Sequence, residues 1–215
     1  MNKMKKAALA LLTGAVLIGA SGGAEAKEAG DLLVRLRGIG VIPDESGRTT
    51  IGGDIDIGDA YAPELDFSYF FTKNIAAELI LATARHEVKV KDTALGDVDL
   101  GHVWLLPPTL TLQYHFFTEN KVSPYVGAGV NYTVFYGVDK PNNSLIDDVD
   151  YDNRFGWALQ AGVDWEVWDR WSVNFDVKKL WLPAAVSVND GAVKSRNADI
   201  DPWIIGVGIG YRFSL

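Results

Sequence analysis

Trp203, Ile205, Val207, Ile209, Tyr211 and Phe213 alternate along the last segment of the chain with Ile204, Gly206, Gly208, Gly210 and Arg212. Successive side chains on a strand point to opposite faces. One face is therefore an unbroken apolar row bracketed by aromatics, and the other is mostly glycine ending in an arginine. A half-buried strand of a soluble sheet would carry polar side chains on its second face, and three glycines supply almost none. A membrane barrel strand fits: apolar residues toward lipid, aromatics at the two interfaces, small or polar residues toward the lumen.

Seven earlier segments carry the same period. Residues 32–42 set Val34 and Leu36 against Arg35, Arg37, Ile39 and Val41; residues 61–71 set Leu65, Phe67 and Tyr69 against Glu64, Asp66 and Ser68. Residues 75–85, 108–117, 123–136 and 154–167 alternate likewise, as does the run from Trp171 to Lys178. A tilted barrel strand crosses the bilayer with about 9–11 residues, and these segments are of that order. The connections alternate in length. Short turns fall near residues 73, 120 and 169, and longer polar stretches at 43–60, 86–106, 137–153 and 182–200. The pattern predicts an all-β fold: an eight-stranded antiparallel transmembrane β-barrel with short periplasmic turns and long extracellular loops.

The start of the chain agrees with export. Lys3, Lys5 and Lys6 precede an apolar run over residues 7–20, and Ala24-Glu25-Ala26 follows. A basic start, a short apolar core and a small-x-small site predict a signal peptide over residues 1–26, cleaved after Ala26, with residues 27–215 forming the barrel. That leaves 17 basic and 27 acidic residues, a balance of −10. An acidic chain of this kind argues against nucleic acid as a partner. There is no cysteine, which removes both a disulfide framework and a lipoprotein anchor. No later stretch reaches about 18 apolar residues, so a membrane location requires a closed barrel with no open sheet edge in lipid. Trp157, Trp165, Trp171, Trp181, Trp203, Tyr132 and Tyr211 suit interfacial belts.

The inward residues sort by height. Arg35, Arg37, Asp66, Glu78, Gln113, Asp164, Asp176 and Arg212 fall toward the periplasmic half, with Asn174 among them. Eight strands leave an interior that side chains just fill, and buried charges persist when paired, so this layer is expected to form a hydrogen-bonded plug. Higher up the inward set turns apolar or small, with Ile39, Val41, Ile80, Ala82, Ala158 and Ile204, and Lys178 as the main exception. Such a lumen is expected to pass water and ions poorly and to admit an apolar solute from outside. Pro107 and Pro108 begin the fourth strand and cannot donate ladder hydrogen bonds. Either they open a sideways exit into lipid or they only end a loop.

Other chemistry is poorly supported. His86, His102 and His115 lack metal-ligand spacing and are read as two loop residues and one strand residue. Asp148, Asp150 and Asp152 begin like a calcium loop, but Asn153 and Leu159 occupy positions that need glycine and glutamate. The Gly-x-Gly pairs at 127–129 and 206–208 lie inside strands with no helix to follow, which removes a phosphate cradle. No cofactor or metal is expected. A lipid-modifying enzyme would need a histidine beside Ser187 or Ser195, and none is near in sequence. A structural or adhesive anchor with long loops stays open beside the channel.

These residues also resemble the OmpW family of small outer-membrane proteins. The matching stretches include Glu28-Ala29-Gly30 with Val34-Arg35, and Thr72-Lys73-Asn74-Ile75 with Glu78-Leu79. Others are Leu106-Pro107-Pro108-Thr109-Leu110, the run from Pro124 to Thr133, Gly162-Val163-Asp164, Asp201-Pro202-Trp203, and Gly210-Tyr211-Arg212-Phe213. The resemblance spans the mature chain. It implies an outer-membrane barrel, not an enzyme, with a narrow channel for passive uptake of small hydrophobic molecules. Its expected partners are membrane lipids, lipopolysaccharide, the small hydrophobic solute and the barrel-assembly machinery, the last through the C-terminal strand. Two positions depart. Ser214 and Leu215 follow Phe213, where family members usually end; and Lys178, beside Lys179, stands where the family offers an aromatic lumen residue.

Overall fold

A computed structural model of the chain describes residues 26–44, 46–49, 54–93, 96–139, 149–151, 154–184, 186–188 and 193–215. The predicted signal peptide, Asp148 and Asp152 lie outside the described residues, Ala26 excepted. In chain order the strands are β1 (Asp31–Ile42), β2 (Ser46–Thr49), β3 (Asp54–Ile57), β4 (Ala60–Phe70), β5 (Ile75–Ala82) and β6 (Ala84–Thr93). They continue with β7 (Gly96–Leu106), β8 (Thr109–His115), β9 (Val122–Asp139), β10 (Val149–Tyr151) and β11 (Arg154–Trp168). The last are β12 (Trp171–Trp181), β13 (Pro183–Ala184), β14 (Val186–Val188), β15 (Val193–Asp199) and β16 (Trp203–Ser214).

Eight of them close a barrel. β1 pairs with both β4 and β16, and the ring continues through β5, β8, β9, β11 and β12 back to β16, every pair antiparallel. At the closing seam Arg35 lies opposite Gly210 and Arg37 opposite Gly208. The alternation in sequence becomes an alternation of environment. Leu36, Leu110, Leu112, Val126, Leu159, Val207 and Ile209 are exposed on the outer wall, as a band facing hydrocarbon requires. Aromatics ring both ends: Tyr211 meets Phe213 and Trp171 at 4.7 and 5.0 Å near the periplasmic turns, and Tyr132 meets Phe155 at 4.8 Å above.

Residues 86–106, expected as a loop, are strand instead. β6 and β7 form a hairpin that extends the wall beyond the bilayer, and β3 and the upper part of β9 pair onto its two edges. Outside the membrane the outer face meets water rather than lipid, so it is charged while the period stays two. His86 and His102 are therefore strand residues. Ser187 and Ser195 also lie in strands, β14 and β15.

The interior has two zones. Ile39, Val41, Ala60, Ala62, Ala84, Ala158, Leu180, Leu182 and Ile204 form one apolar cluster toward the outer end, with Ala82 and Ile200 packed against it. Charged and amide side chains fill the height below, down to a small apolar group of Leu33, Phe70 and Ala76.

Candidate functional site: a stratified lumen

Two arginines on β1 organise the lower zone. Arg35 Nη1 donates to Asp66 Oδ1 (2.7 Å), Ser68 Oγ (2.9 Å) and Glu78 Oε1 (3.0 Å), while its Nε and Nη2 donate to the two oxygens of Asp164 at 3.0 and 3.2 Å. Arg37 donates through Nη2 to Asp66 and to Glu78 Oε1 (2.9 Å), and through Nη1 to Asn174 Oδ1 (3.1 Å). Its Nε lies 2.9 Å from Glu64 Oε1, an ion-pair contact off the hydrogen-bonding line. Two guanidinium groups two residues apart on one face would repel. The carboxylates from β4, β5, β11 and β12 offset that, and the planar fork of arginine lets one side chain serve several of them.

Amides and hydroxyls fill the remaining hydrogen-bonding positions. Gln113 Nε2 donates to Glu78 Oε2 (2.8 Å), Gln160 Nε2 to Asp176 Oδ2 (2.8 Å), and the Tyr125 hydroxyl to Asp176 Oδ2 (2.7 Å). Lys178 caps the layer from above, with Nζ 2.7 Å from Glu64 Oε1 and 2.8 Å from Asp176 Oδ1. Lys27 caps it from below. Its Nζ meets Asp164 Oδ2 at 2.9 Å, His115 Nδ1 at 3.0 Å and Ser123 Oγ at 3.2 Å, although the residue belongs to no strand. Gly30, with φ of 96°, turns the tail under the barrel, and its N–H donates to Phe70 O (2.8 Å).

Arg35, Arg37, Asp66, Glu78, Gln113, Asp164 and Asp176 thus meet in one network, whereas Arg212 sits lower. Its Nη1 donates to Asp31 Oδ2 (2.8 Å) and Ala26 O (2.9 Å). Ile39, Val41 and Ile204 belong to the upper apolar cluster, Ala82 borders it, and Ile80 is buried in the lumen outside it. Sequence reasoning did not single out Glu64, Tyr125, Gln160 or Lys27. The first three stand at inward positions of strands already recognised; the fourth had no periodic signal.

Pro107 and Pro108 fall between β7 and β8. Toward β9 the contact is kept, because Tyr132 N donates to Pro108 O (3.1 Å). Toward β5 and β6 the pairing steps from Ile80–Thr109 directly to Ala84–Leu105. The break faces Ala82, at the edge of the apolar cluster.

A closed eight-stranded barrel with a lipid-facing apolar band, aromatic girdles and a filled polar interior is a bacterial outer-membrane barrel. The OmpW family model matches residues 28–213, and the chain belongs to that family. It is 46% identical over 184 residues to the uncharacterized outer-membrane protein y4mB of Sinorhizobium fredii, covering 84% of this chain and 79% of that one. It is 37% identical over 221 residues to outer membrane protein W of Salmonella typhi, covering 99% and 100%. A third relative, 28% identical over 78% of this chain and 79% of its own length, is the dibenzothiophene metabolism operon protein PahQ of Pseudomonas aeruginosa. Among solved structures the outer membrane protein OprG of Pseudomonas aeruginosa superposes with a TM-score of 0.83 at 28% identity, covering 89% of this chain and all of that one. The protein resides in the outer membrane and is not an enzyme.

Proposed function

We propose that this protein passes small hydrophobic molecules across the outer membrane, with residues 1–26 serving as the export signal. The solute enters the outer mouth and partitions among Ile39, Val41, Ala158, Leu180 and Ile204; the charge layer below denies it, and water and ions, a straight path to the periplasm. It leaves sideways, between the β5–β6 and β7–β8 walls at Pro107 and Pro108. The observation that carries the reading is the separation of the lumen into an apolar upper zone and an ion-paired lower one. An apolar molecule gains roughly 25 cal/mol for each Å² of its surface removed from water, which favours the upper zone and the bilayer core alike. The ladder break beside Ala82 supports the exit route. The name of PahQ, which refers to metabolism of an apolar aromatic compound, points the same way.

Uptake of an apolar solute into proteoliposomes tests the proposal, with phospholipase and deacylase assays run alongside. Saturable flux above that of protein-free vesicles is expected, with no hydrolysis. Equal flux with and without protein would leave a structural anchor as the better reading.

A further inference from the structure

The sideways exit carries, on the lipid side of the wall, a contact that hydrophobic uptake alone does not require. From Ile80–Thr109 to Ala84–Leu105 the two walls advance four residues each, so their register is continuous, yet no ladder pair joins residues 81–83 to residues 106–108. Unpaired backbone is costly where the neighbour is hydrocarbon, so another contact is needed to hold the walls together when the route is empty. Thr83 lies within this stretch, and its Oγ1 shares a short hydrogen bond with the Tyr136 hydroxyl. Tyr136 belongs to β9, opposite Trp104 of β7. The bond therefore spans the unpaired interval and β7 together, tying the β5–β6 wall to β9.

Two neighbours hold Tyr136 in position for that reach. Its ring stacks on that of Trp104, with centroids 6.2 Å apart and planes 26° from parallel. Gly137 follows at a φ of 57°, and a Cβ there would stand 3.0 Å from Trp104 Cδ1. Glycine thus meets both a left-handed backbone and the need to leave the indole its place. Tyr136 is 43% exposed on the outer face, which leaves it room to turn outward. We propose that the Thr83–Tyr136 hydrogen bond latches the sideways exit, which opens to an apolar solute when that bond breaks and the phenol turns away.

A single bond between neutral hydroxyls suits a latch. Its net contribution is small, because water or a lipid headgroup can replace either partner once it opens. It therefore biases the exit toward the closed state without locking it. Pro107 withholds a permanent backbone bond across the gap, and the hydroxyl pair supplies a reversible one. The latch rests on the uptake reading and adds to it the element that keeps the route shut between passages.

The test measures naphthalene flux into proteoliposomes that hold the mature protein. Tyr136→Phe keeps the ring and its stack but loses the hydroxyl, and Thr83→Val keeps the branched shape without its oxygen. Each is expected to raise flux about five-fold, the factor implied by losing one neutral hydrogen bond that holds a minor open state in check. The double variant should be no faster than either single one, because both remove the same bond. Thr83→Ser, which keeps a hydroxyl, should leave the parental rate, and ionic conductance should stay parental throughout. Parental flux in both single variants, or a double variant that multiplies their effects, overturns the latch while leaving uptake intact. Faster flux accompanied by higher conductance would report a loosened barrel and overturn it too. Flux in the parent no greater than in protein-free vesicles would overturn the uptake reading, and the latch with it. If one variant fails to assemble, judged by heat-modifiable gel migration, the other decides.

Discussion

Lys178 on β12 reaches past β16 and β1 to Glu64 on β4, placing Nζ 2.7 Å from Oε1 with both side chains 2% exposed. The pair marks the level at which the lumen changes character. Below it lies the arginine network, and above it Leu180, two residues further along β12, belongs to the apolar cluster. Lys178 stands out in the sequence as an intrusion into a greasy lining. In the barrel it is the top of the charge layer, held by Glu64 and Asp176.

Removing one member of a buried ion pair strands the other, at about 3–5 kcal/mol. Lys178→Met is therefore expected to lower barrel stability by about that much, read by urea unfolding in detergent micelles with heat-modifiable gel migration as the probe. Glu64→Gln combined with Lys178→Met should cost less than the two single changes added, because contacting groups couple by about 0.5–3 kcal/mol. Strict additivity would show that the two side chains do not interact.

Close approach at the closing seam yields a second expectation. A Cβ on Gly208 would collide with the carbonyl oxygen of Leu36 on the neighbouring strand, and with Arg37 Cα at 2.7 Å. Backbone of a paired strand cannot yield without losing register, so Gly208→Ala is expected to abolish or severely slow assembly. On Gly206 the nearest atom would be Ile39 Cγ2 at 3.1 Å, a side-chain methyl that can shift. Gly206→Ala should fold, with a stability loss of about 1–3 kcal/mol from overpacking. Equal refolding yields for the two variants would contradict this ranking.

How much of this was legible in the sequence depends on what each residue faces. Strands bordered by lipid announce themselves, since hydrocarbon forces one apolar face and the lumen supplies a contrasting one. β6 and β7 are hidden in the sequence because their outer face meets water, so Arg85, Glu87 and Lys89 look like loop, although Val88 keeps the alternation. Arg35, Asp66 and Glu78 could be assigned to the lumen from phase alone. Their mutual contacts could not, because barrel stagger sets which inward residues share a height. Lys27 leaves no trace in the pattern: it lies ahead of β1, on a segment that turns at Gly30 and passes under the barrel.

The upper hairpin brings a pH dependence. His86 Nδ1 donates to the carbonyl of Gly58 (3.0 Å), and burial lowers the imidazole pKa below its usual value, with the Gly58 bond and Asp59 opposing. The folded hairpin thus prefers neutral histidine. Its contribution is complete above the unfolded pKa of about 6.5. It declines as pH falls toward the lower folded value, because the unfolded segment takes up more protons there. Amide exchange across β3 and β6 should accelerate between about pH 7.5 and 5 beyond the intrinsic trend, and His86→Phe should remove the excess. An excess retained in that variant would place the titrating group elsewhere.

Ion conductance reports on the lower lumen. Arg35 and Glu78 hold the network from opposite signs, so replacing either by alanine removes several hydrogen bonds and admits water. Each variant is expected to raise single-channel conductance in planar bilayers several-fold over the parent. Parental conductance in both would show that the charged layer is not what seals the lumen.

The exit route can be separated from the seal. Pro107 lacks the N–H that would bridge the ladder between Ile80–Thr109 and Ala84–Leu105, and Pro108, whose carbonyl accepts from Tyr132 N, lacks the one that would face β9. Alanine at both positions restores two donors: the one at 107 faces the carbonyls of residues 81–83 and can draw the two walls together, while the one at 108 faces β9. If solute leaves sideways, this double variant should take up an apolar compound several-fold more slowly while its ionic conductance stays at the parental level. Unchanged uptake would mean that the prolines only end the strand, and that cargo passes another way. A fall in uptake together with a rise in conductance would instead indicate a disturbed barrel, which the heat-modifiable gel shift detects independently.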